Sequence, residues 1–457
     1  MRIQTYLLAP VALAAASLAQ AQIINVGANI NVSKALGNQS ETSIAINRLN
    51  TDLITVGSNN LGPGTDLFLS YSSNGGTSWN ASTFNPAACC DTWMGADSLG
   101  NMYVSYLTSG ITTSVARSTN GGVSYSVIGT IAGSSDHPEM GVGPGTVAGT
   151  SSIYLRDSTT GNRISSATST GLGVTSAFTT QAPVGSGNFG STAVGPGGRN
   201  VYTSMNPAGG VGPANMLVRY DADGTGAGGY VNQSSVTTQV GGFRFIPAQP
   251  SRSIDAQVDL KYDFSGGANN GNLYMLYTQA ANSTTNDTNI VLRKSTDNGA
   301  TFTSEVKLNT DVGTNSQFFG RLAVDQKNGW LASVWFDARN SATNNKVELW
   351  GTVSIDGGSS WAPNFKISQG QTSCLAATIG GDGNECGDYI AMDFYDGKLV
   401  TSWTDSSNFT GDNPNGTSGL DVYFSKVTVT VPIPEPATYG LMAMGLLFGA
   451  ARLRRKG

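Results

Sequence analysis

From residue 22 onward the apolar residues come in short β-branched and aromatic runs, split by clusters of Gly, Asn, Ser, Thr and Asp. Almost no stretch repeats its apolar positions at helical spacing, so the pattern predicts strands joined by tight turns. Two kinds of run alternate. The first opens on a charged or aromatic residue and continues as a short strand, with starts at Glu41, Asp91, His137, Phe189, Asp255, Phe319 and Asp388. The second is richer in β-formers, as in Leu53 to Val56, Met102 to Tyr106, Asn272 to Tyr277, Trp330 to Trp335 and Lys398 to Trp403. The starts recur at intervals from 46 residues (Asp91 to His137) to 69 (Phe319 to Asp388), which predicts an all-β fold of about seven four-stranded units. Blade-length periods favour a β-propeller over a sandwich. They also let residues 22–431 form one domain, since each unit packs mainly on its neighbours.

An eight-residue pattern punctuates four of these units. Ser72 to Trp79 reads S-S-N-G-G-T-S-W, Ser118 to Tyr125 S-T-N-G-G-V-S-Y, Ser295 to Phe302 S-T-D-N-G-A-T-F, and Ser354 to Trp361 S-I-D-G-G-S-S-W. Physically this is a hairpin turn: an Asp or Asn side chain bonds the turn backbone, Gly supplies positive φ, and the aromatic anchors the turn between units. The four copies resemble the Asp box (BNR repeat) of sialidases and related propellers. That resemblance implies a sialidase-like propeller with its boxes on the face opposite the functional one, and it keeps six blades open as an alternative to seven. The last unit ends near Ser425 without a box, and the extended stretch Ile23 to Val32 is expected to supply its missing outer strand.

Composition agrees with this picture. Gly numbers 59, and only 12% of residues are charged. The two ends differ from the body. Residues 1–21 carry one positive charge at Arg2, an apolar run from Tyr6 to Leu18 and the small-x-small site Ala19-Gln20-Ala21, the layout of a secretory signal cut by signal peptidase. At the other end, Pro432-Ile433-Pro434-Glu435-Pro436 halts regular structure, Ala437 to Ala451 is almost wholly apolar, and Arg452, Arg454, Arg455 and Lys456 follow. Such a stretch suits a transient membrane hold with its basic end on the cytoplasmic side, hence a brief transmembrane state. Residues 432–457 resemble the PEP-CTERM sorting signal that exosortases recognise. The resemblance implies a Gram-negative exporter of extracellular polysaccharide, with delivery of the protein to the cell surface or its secretion.

Setting aside Arg2 and the four basic tail residues leaves 20 Lys and Arg against 30 Asp and Glu, a balance of −10 that disfavours a nucleic-acid partner. All four cysteines, Cys89, Cys90, Cys374 and Cys386, lie in the exported part. Cys374 with Cys386 is the first pairing to consider, leaving Cys89 and Cys90 as a vicinal disulfide or as free thiols. His137 is the only histidine, no Cys-His spacing suggests zinc, and neither metal nor cofactor is expected. The string Asp221-Ala-Asp223-Gly224-Thr225 resembles the opening of a calcium loop, but its twelfth position is Asn232 and a plain Asp-Gly turn is the better reading.

In a propeller the first strand of each blade lines the channel and its start lies at one mouth. The starts therefore bring Glu41, Asp91, His137 with Glu139, Asp255, Arg321 and Asp388 to that mouth, and the second strands end nearby in Asp337, Arg339 and Asp405. Asp91, Asp255 and Asp388 are the candidate catalytic carboxylates; Glu41, His137, Glu139, Arg321, Asp337, Arg339 and Asp405 are candidate binding residues. For Asp337 and Arg339 the competing reading is a local ion pair. The sialidase resemblance further implies an arginine triad and a tyrosine nucleophile, for which Arg321, Arg339, Arg156 or Arg293 and Tyr389 are the available residues. The family's first arginine motif has only Phe243-Arg244-Phe245-Ile246-Pro247 as a counterpart, displaced to mid-chain. The expected function is an exported surface propeller that binds glycan or protein in an exopolysaccharide matrix. The alternatives are a sialidase-like glycoside hydrolase acting on polysaccharide and a structural biofilm component.

Overall fold

The computed structural model describes residues 22–62, 66–131, 136–157, 163–180, 184–185, 187–225, 229–376 and 385–432. The proposed signal peptide, and all of the sorting tail beyond Pro432, lie outside the described residues. The chain divides into a main unit, Asn25–Thr428, and a small one formed by Met1–Ile24 with Val429–Gly457. Among the described residues no helix is long and apolar enough to cross a membrane. The apolar stretch that would make the transient transmembrane hold is not among them.

The main unit is a β-propeller. The described residues form eight antiparallel sheets, seven of four or five strands and one of two. The innermost strands of the seven larger sheets are Gln39–Ile46, Ala88–Ala96, Glu139–Pro144, Thr192–Val194, Asp259–Tyr262, Gln317–Asp325 and Ala391–Tyr395. Each touches the next in this order and the last touches the first, so they enclose a channel. The two-stranded sheet pairs Arg244–Ile246 with Gln249–Ile254 between the fourth and fifth of these sheets, an insertion that the sequence repeat does not foresee. The seventh sheet is completed by the start of the body: Ile23–Val26 lies beside Asp421–Thr430, and Ile30 and Asn31 pair with Phe424 and Tyr423.

Stability comes from the seams between sheets. Ile44, Ile46 and Val56 of the first sheet pack with Val400, Val422 and Phe424 of the seventh, and Tyr274, Leu276 and Leu292 of the fifth with Leu322, Leu331 and Trp335 of the sixth. The four eight-residue repeats fold into one turn. In the first, Ser72 Oγ donates to Asn74 Oδ1 at 2.9 Å and accepts from the Gly76 N–H at 2.9 Å, and the Ser78 N–H donates to Asn74 Oδ1. Ser295, Asp297, Gly299 and Thr301 repeat these bonds, as do Ser354, Asp356, Gly358 and Ser360. Gly76 has φ 88°, and a Cβ there would lie 2.3 Å from the Phe424 ring of the neighbouring sheet. Trp79 meets that same ring edge-on at 5.0 Å, so the turn is pinned across the seam.

A second regularity sets the mouth. Glu41, Asp91, His137, Phe189, Gln257 and Phe319 all have φ between 41° and 60°, and Gly387 in the seventh unit has 75°. Glu41, Asp91 and Phe319 sit within their innermost strands at the register breaks Ser40/Ser43, Cys90/Trp93 and Phe318/Arg321, and the other four lie two to four residues ahead of theirs. Left-handed backbone costs a non-glycine residue about 1–2 kcal/mol, so the first six units carry strain at the same place, the mouth of the channel, while Gly387 spares the seventh. The fifth start corrects the sequence reading. Asp255 lies ahead of the strand, because the inserted hairpin occupies the preceding residues and Gln257 takes the left-handed position.

Candidate functional site

Four of the sequence-derived residues converge at the mouth, joined by two that sequence reasoning missed. Arg252, on the inserted hairpin, grips Asp388 with Nε at 2.8 Å and Nη2 at 2.5 Å, and Nη2 also reaches Glu41 Oε1 at 3.1 Å. Asn59 donates to Glu41 Oε2 at 2.5 Å and accepts from the Asp91 N–H at 2.7 Å. Asp91 Oδ2 accepts the His137 N–H at 3.1 Å, and His137 Nε2 lies 3.3 Å from Asp388 Oδ2. These bonds close a loop through His137, Asp388, Arg252, Glu41, Asn59 and Asp91. The hairpin that delivers Arg252 is held in turn by the loop before Asp388. Gln249 donates to the Gly387 carbonyl and accepts from the Cys386 N–H, and Glu385 receives the N–H groups of Ser251 and Arg252. Cys386 is disulfide-bonded to Cys374, and Cys89 to Cys90 beside Asp91.

The loop sorts its charges. Burial, together with the charges of Asp388 and Asp91, holds the Glu41 carboxyl well above the usual carboxylate range despite Arg252 and His137. Burial also opposes the charge on Asp388, but the hydrogen bonds from His137 and Arg252 outweigh it and hold that carboxyl below the usual range. For His137 burial works against the cation, while the bond to Asp388 and the charges of Asp91 and Asp136 raise its pKa to about 10. Asp255 is pushed up to about 6 by burial, which His137 only partly offsets.

Tyr389 stands behind this network. It is 1% exposed, its hydroxyl has no hydrogen-bond partner, and its ring lies 5.7 Å from His137 and 5.5 Å from Trp93. The rings continue in both directions. Outward, His137 meets Phe189 at 5.7 Å and Phe189 meets Phe243 at 5.5 Å; inward, the Arg321 guanidinium lies 4.5 Å over Trp93. Phe243 is 48% exposed and Phe245, on the same hairpin, 53%. A void of about 20 Å³ lined by His137, Glu139, Asp255 and Tyr389 leaves room on the order of one water. A larger cavity of about 140 Å³ runs through the channel below, past Arg321, Lys261 and Asp259 to Arg48 and Asp393.

The remaining candidates lie deeper or farther out. Glu139 accepts a hydrogen bond from Ser191 Oγ at 2.5 Å, and Arg321 lies 3.5 Å from Asp259; both are buried. Asp337 accepts from Trp335 Nε1 at 2.8 Å and from Arg339 at 2.6 Å, while Arg339 stacks over Trp350. Asp405 accepts from Trp403 Nε1 at 2.9 Å and from the Ser407 N–H at 2.6 Å. The two copies of the Trp-x-Asp strand ending thus share one local bond, and none of these contacts reaches the mouth cluster, which favours the local ion pair for Asp337 and Arg339. The arginines named for a triad each have a separate acidic neighbour: Arg321 lies by Asp259, Arg339 by Asp337 and Arg293 by Glu305. Arg244 donates to the carbonyls of Gln239 and Asn282, a bracing role for the string at 243–247, and Arg156 donates to the His137 carbonyl. In the calcium-like string, Asp223 Oδ1 accepts from the Thr225 N–H at 2.9 Å, as an Asp-Gly turn requires.

Among solved structures the chain is similar to a Penicillium chrysogenum α-L-arabinanase complexed with arabinobiose, at 11% identity over 90% of this chain and 98% of that one, with TM-score 0.40. It is similar to the phage phi92 endosialidase at 11% identity, over 88% of this chain and 69% of that one, with TM-score 0.47. The Aleuria aurantia lectin in complex with α-methyl-L-fucoside matches at 12% identity, over 67% and 84%, with TM-score 0.39. These likenesses concern the fold. No curated protein matches the chain. Residues 432–456 match the PEP-CTERM protein-sorting motif, which marks this propeller for export and exosortase-directed sorting to the surface of a Gram-negative bacterium.

Proposed function

We propose that the protein is a glycan-binding surface propeller, and that the binding face is the mouth framed by the inserted hairpin. The observation that carries this reading is the run of rings from buried Trp93 and Tyr389 through His137 and Phe189 to solvent-exposed Phe243, with Phe245 and the partly exposed Arg252 beside it. Exposed aromatic faces next to fixed polar groups suit the apolar face and hydroxyls of a sugar ring. The carboxylates are engaged by Arg252, His137 and Asn59, and the void beside His137 and Tyr389 is too small for a sugar, so they shape the face rather than contact a buried substrate. Motif-directed delivery to the cell surface supports an extracellular polysaccharide as the partner on this reading. A glycan array probed with the purified protein and with Phe243→Ala/Phe245→Ala tests this. Loss of glycan signal in the double variant with an unchanged melting temperature is expected; equal signal from both proteins refutes the assignment.

One observation favours a second reading, a glycoside hydrolase. Glu41 is held up and Asp388 held down although both lie on Arg252, and such a split is how paired carboxyls acquire acid and base roles. On that reading a polysaccharide screen detects hydrolysis that Asp388→Asn and Glu41→Gln each abolish. Absence of hydrolysis by the wild-type protein across the screen removes it.

A further inference from the structure

The left-handed positions also set what lies below them in the channel. Four residues after each comes one of Ala45, Gly95, Gly141, Ala193, Lys261, Ala323 and Ala391, and all seven line the cavity of about 140 Å³. Six small residues account for the space, and the fifth unit alone puts a long cationic side chain there. Trp93 lines both this cavity and the small void at the mouth, with the Arg321 guanidinium over its ring, so the pair stands between the two spaces. The cavity is about ten times the roughly 10–15 Å³ that one water needs, which is room for a small molecule.

Space alone would not make a site, but the donors and acceptors around it do not balance. The charged residues lining the cavity are Arg48, Lys261 and Arg321 against Asp259 and Asp393. Both carboxylates are fully used. Asp259 accepts from Lys261 through Oδ1 and from the Leu322 N–H at 2.9 Å through Oδ2. Asp393 accepts from Arg48 Nη2 at 2.9 Å through Oδ1 and from the Ile46 N–H at 2.8 Å through Oδ2. The cations are not. The Lys261 ammonium has three donors and gives one of them to Asp259. Arg321 is 5% exposed; its Nε lies 3.5 Å from Asp259 Oδ2 and, with the Gln257 amide oxygen turned toward it, its Nη1 lies 3.2 Å from Gln257, while no described residue accepts from Nη2. Arg48 Nη1 likewise has no partner. Glu139 lies on the mouth side of Trp93, lining the void and not this cavity. Buried donors on an uncompensated cation are costly to leave unmet, so the cavity calls for acceptors that carry negative charge.

We propose that the channel cavity binds one small oxyanion, gripped by Lys261 and Arg321, with Arg48 attracting it at the far end. The donor set decides the class. A guanidinium matches the paired oxygens of a carboxylate or a tetrahedral oxyanion, and the ammonium beside it takes a further oxygen, whereas a halide offers one centre to donors that point from different strands. Lys261 and Arg321 stand on the fifth and sixth innermost strands, so the bound anion ties two units together and stabilises the ring by mass action. The occupant is a free ion, too small to be a polysaccharide, and the proposal is independent of the glycan reading.

The test dialyses the purified protein into a zwitterionic buffer and titrates it calorimetrically with sodium phosphate, sulfate, acetate and, at matched ionic strength, chloride, with thermal melting in each. One equivalent of at least one oxyanion should bind and raise the melting temperature, and chloride should do neither; the tightest of the three tells a tetrahedral occupant from a planar one. Lys261→Met should weaken binding by about 10-fold or more. Arg48→Gln, at a side chain 21% exposed, should weaken it by roughly 2- to 5-fold and carries the test if the first variant does not fold. No oxyanion bound by the wild-type protein, chloride bound as tightly, or affinity unchanged in the folded variants overturns the proposal.

Discussion

Single residues at the mouth are held in states that solution chemistry would not choose. Asp255 is buried and titrates near 6, so the folded protein favours its neutral form. Its contribution is fully present below the unfolded value of about 3.9 and is lost as pH rises through 6. Asp255→Asn should therefore stabilise the protein at pH 7.5, by an amount on the order of 2 kcal/mol, and should do little at pH 4. Urea unfolding at the two pH values checks this, and an equal effect at both would show that burial does not govern Asp255. Arg252 gives the opposite expectation. It is the only cation that bonds both Glu41 and Asp388 among the described residues, and Arg252→Gln should cost roughly 1–3 kcal/mol in the same assay. Neither role could be read from the chain. The starts at Glu41, Asp91, His137 and Asp388 follow from periodicity, but Arg252 comes from an insertion that interrupts the period. The left-handed positions carry Glu, Asp, His, Phe and Gln, which announce no such conformation.

At the level of elements, the repeated turns are where sequence and structure agree most closely. Each repeat's Ser, Asn or Asp and Gly make bonds within eight residues, so the pattern contains its own partners. Ser295→Ala removes the acceptor of the Gly299 N–H and a donor to Asp297, and should cost about 1–2 kcal/mol while leaving the mouth untouched. Thermal melting together with glycan binding separates the two effects; loss of binding in this variant would contradict the division of the molecule into turn-bearing seams and a functional mouth. The Trp-x-Asp endings show the reverse case. Asp337 and Asp405 look like site residues by position, yet each is occupied by the indole two residues before it. Short-range bonds of that kind use up functional-looking residues, and periodicity cannot reveal them.

For the molecule as a whole, closure matters more than any one seam. Val32 is buried with Phe424 and Val422, and the Val32 N–H donates to the Val422 carbonyl at 2.8 Å. Deleting residues 22–32 strips the seventh sheet of its outer strands and should lower the melting temperature by roughly 5–10 °C, read by calorimetry. An unchanged transition would mean that the ring does not depend on this join.

That join also imposes a timetable. Ile30 and Asn31 are among the first residues of the body to be synthesised, but their partners Tyr423 and Phe424 are among the last. Until the ribosome has passed residue 424 the opening strand has nothing to pair with, and the first and seventh sheets cannot bury Ile44 and Ile46 against Val422 and Phe424. A protein bound for the far side of a membrane gains from such a delay, because a chain that cannot finish folding early is still thin enough to be threaded.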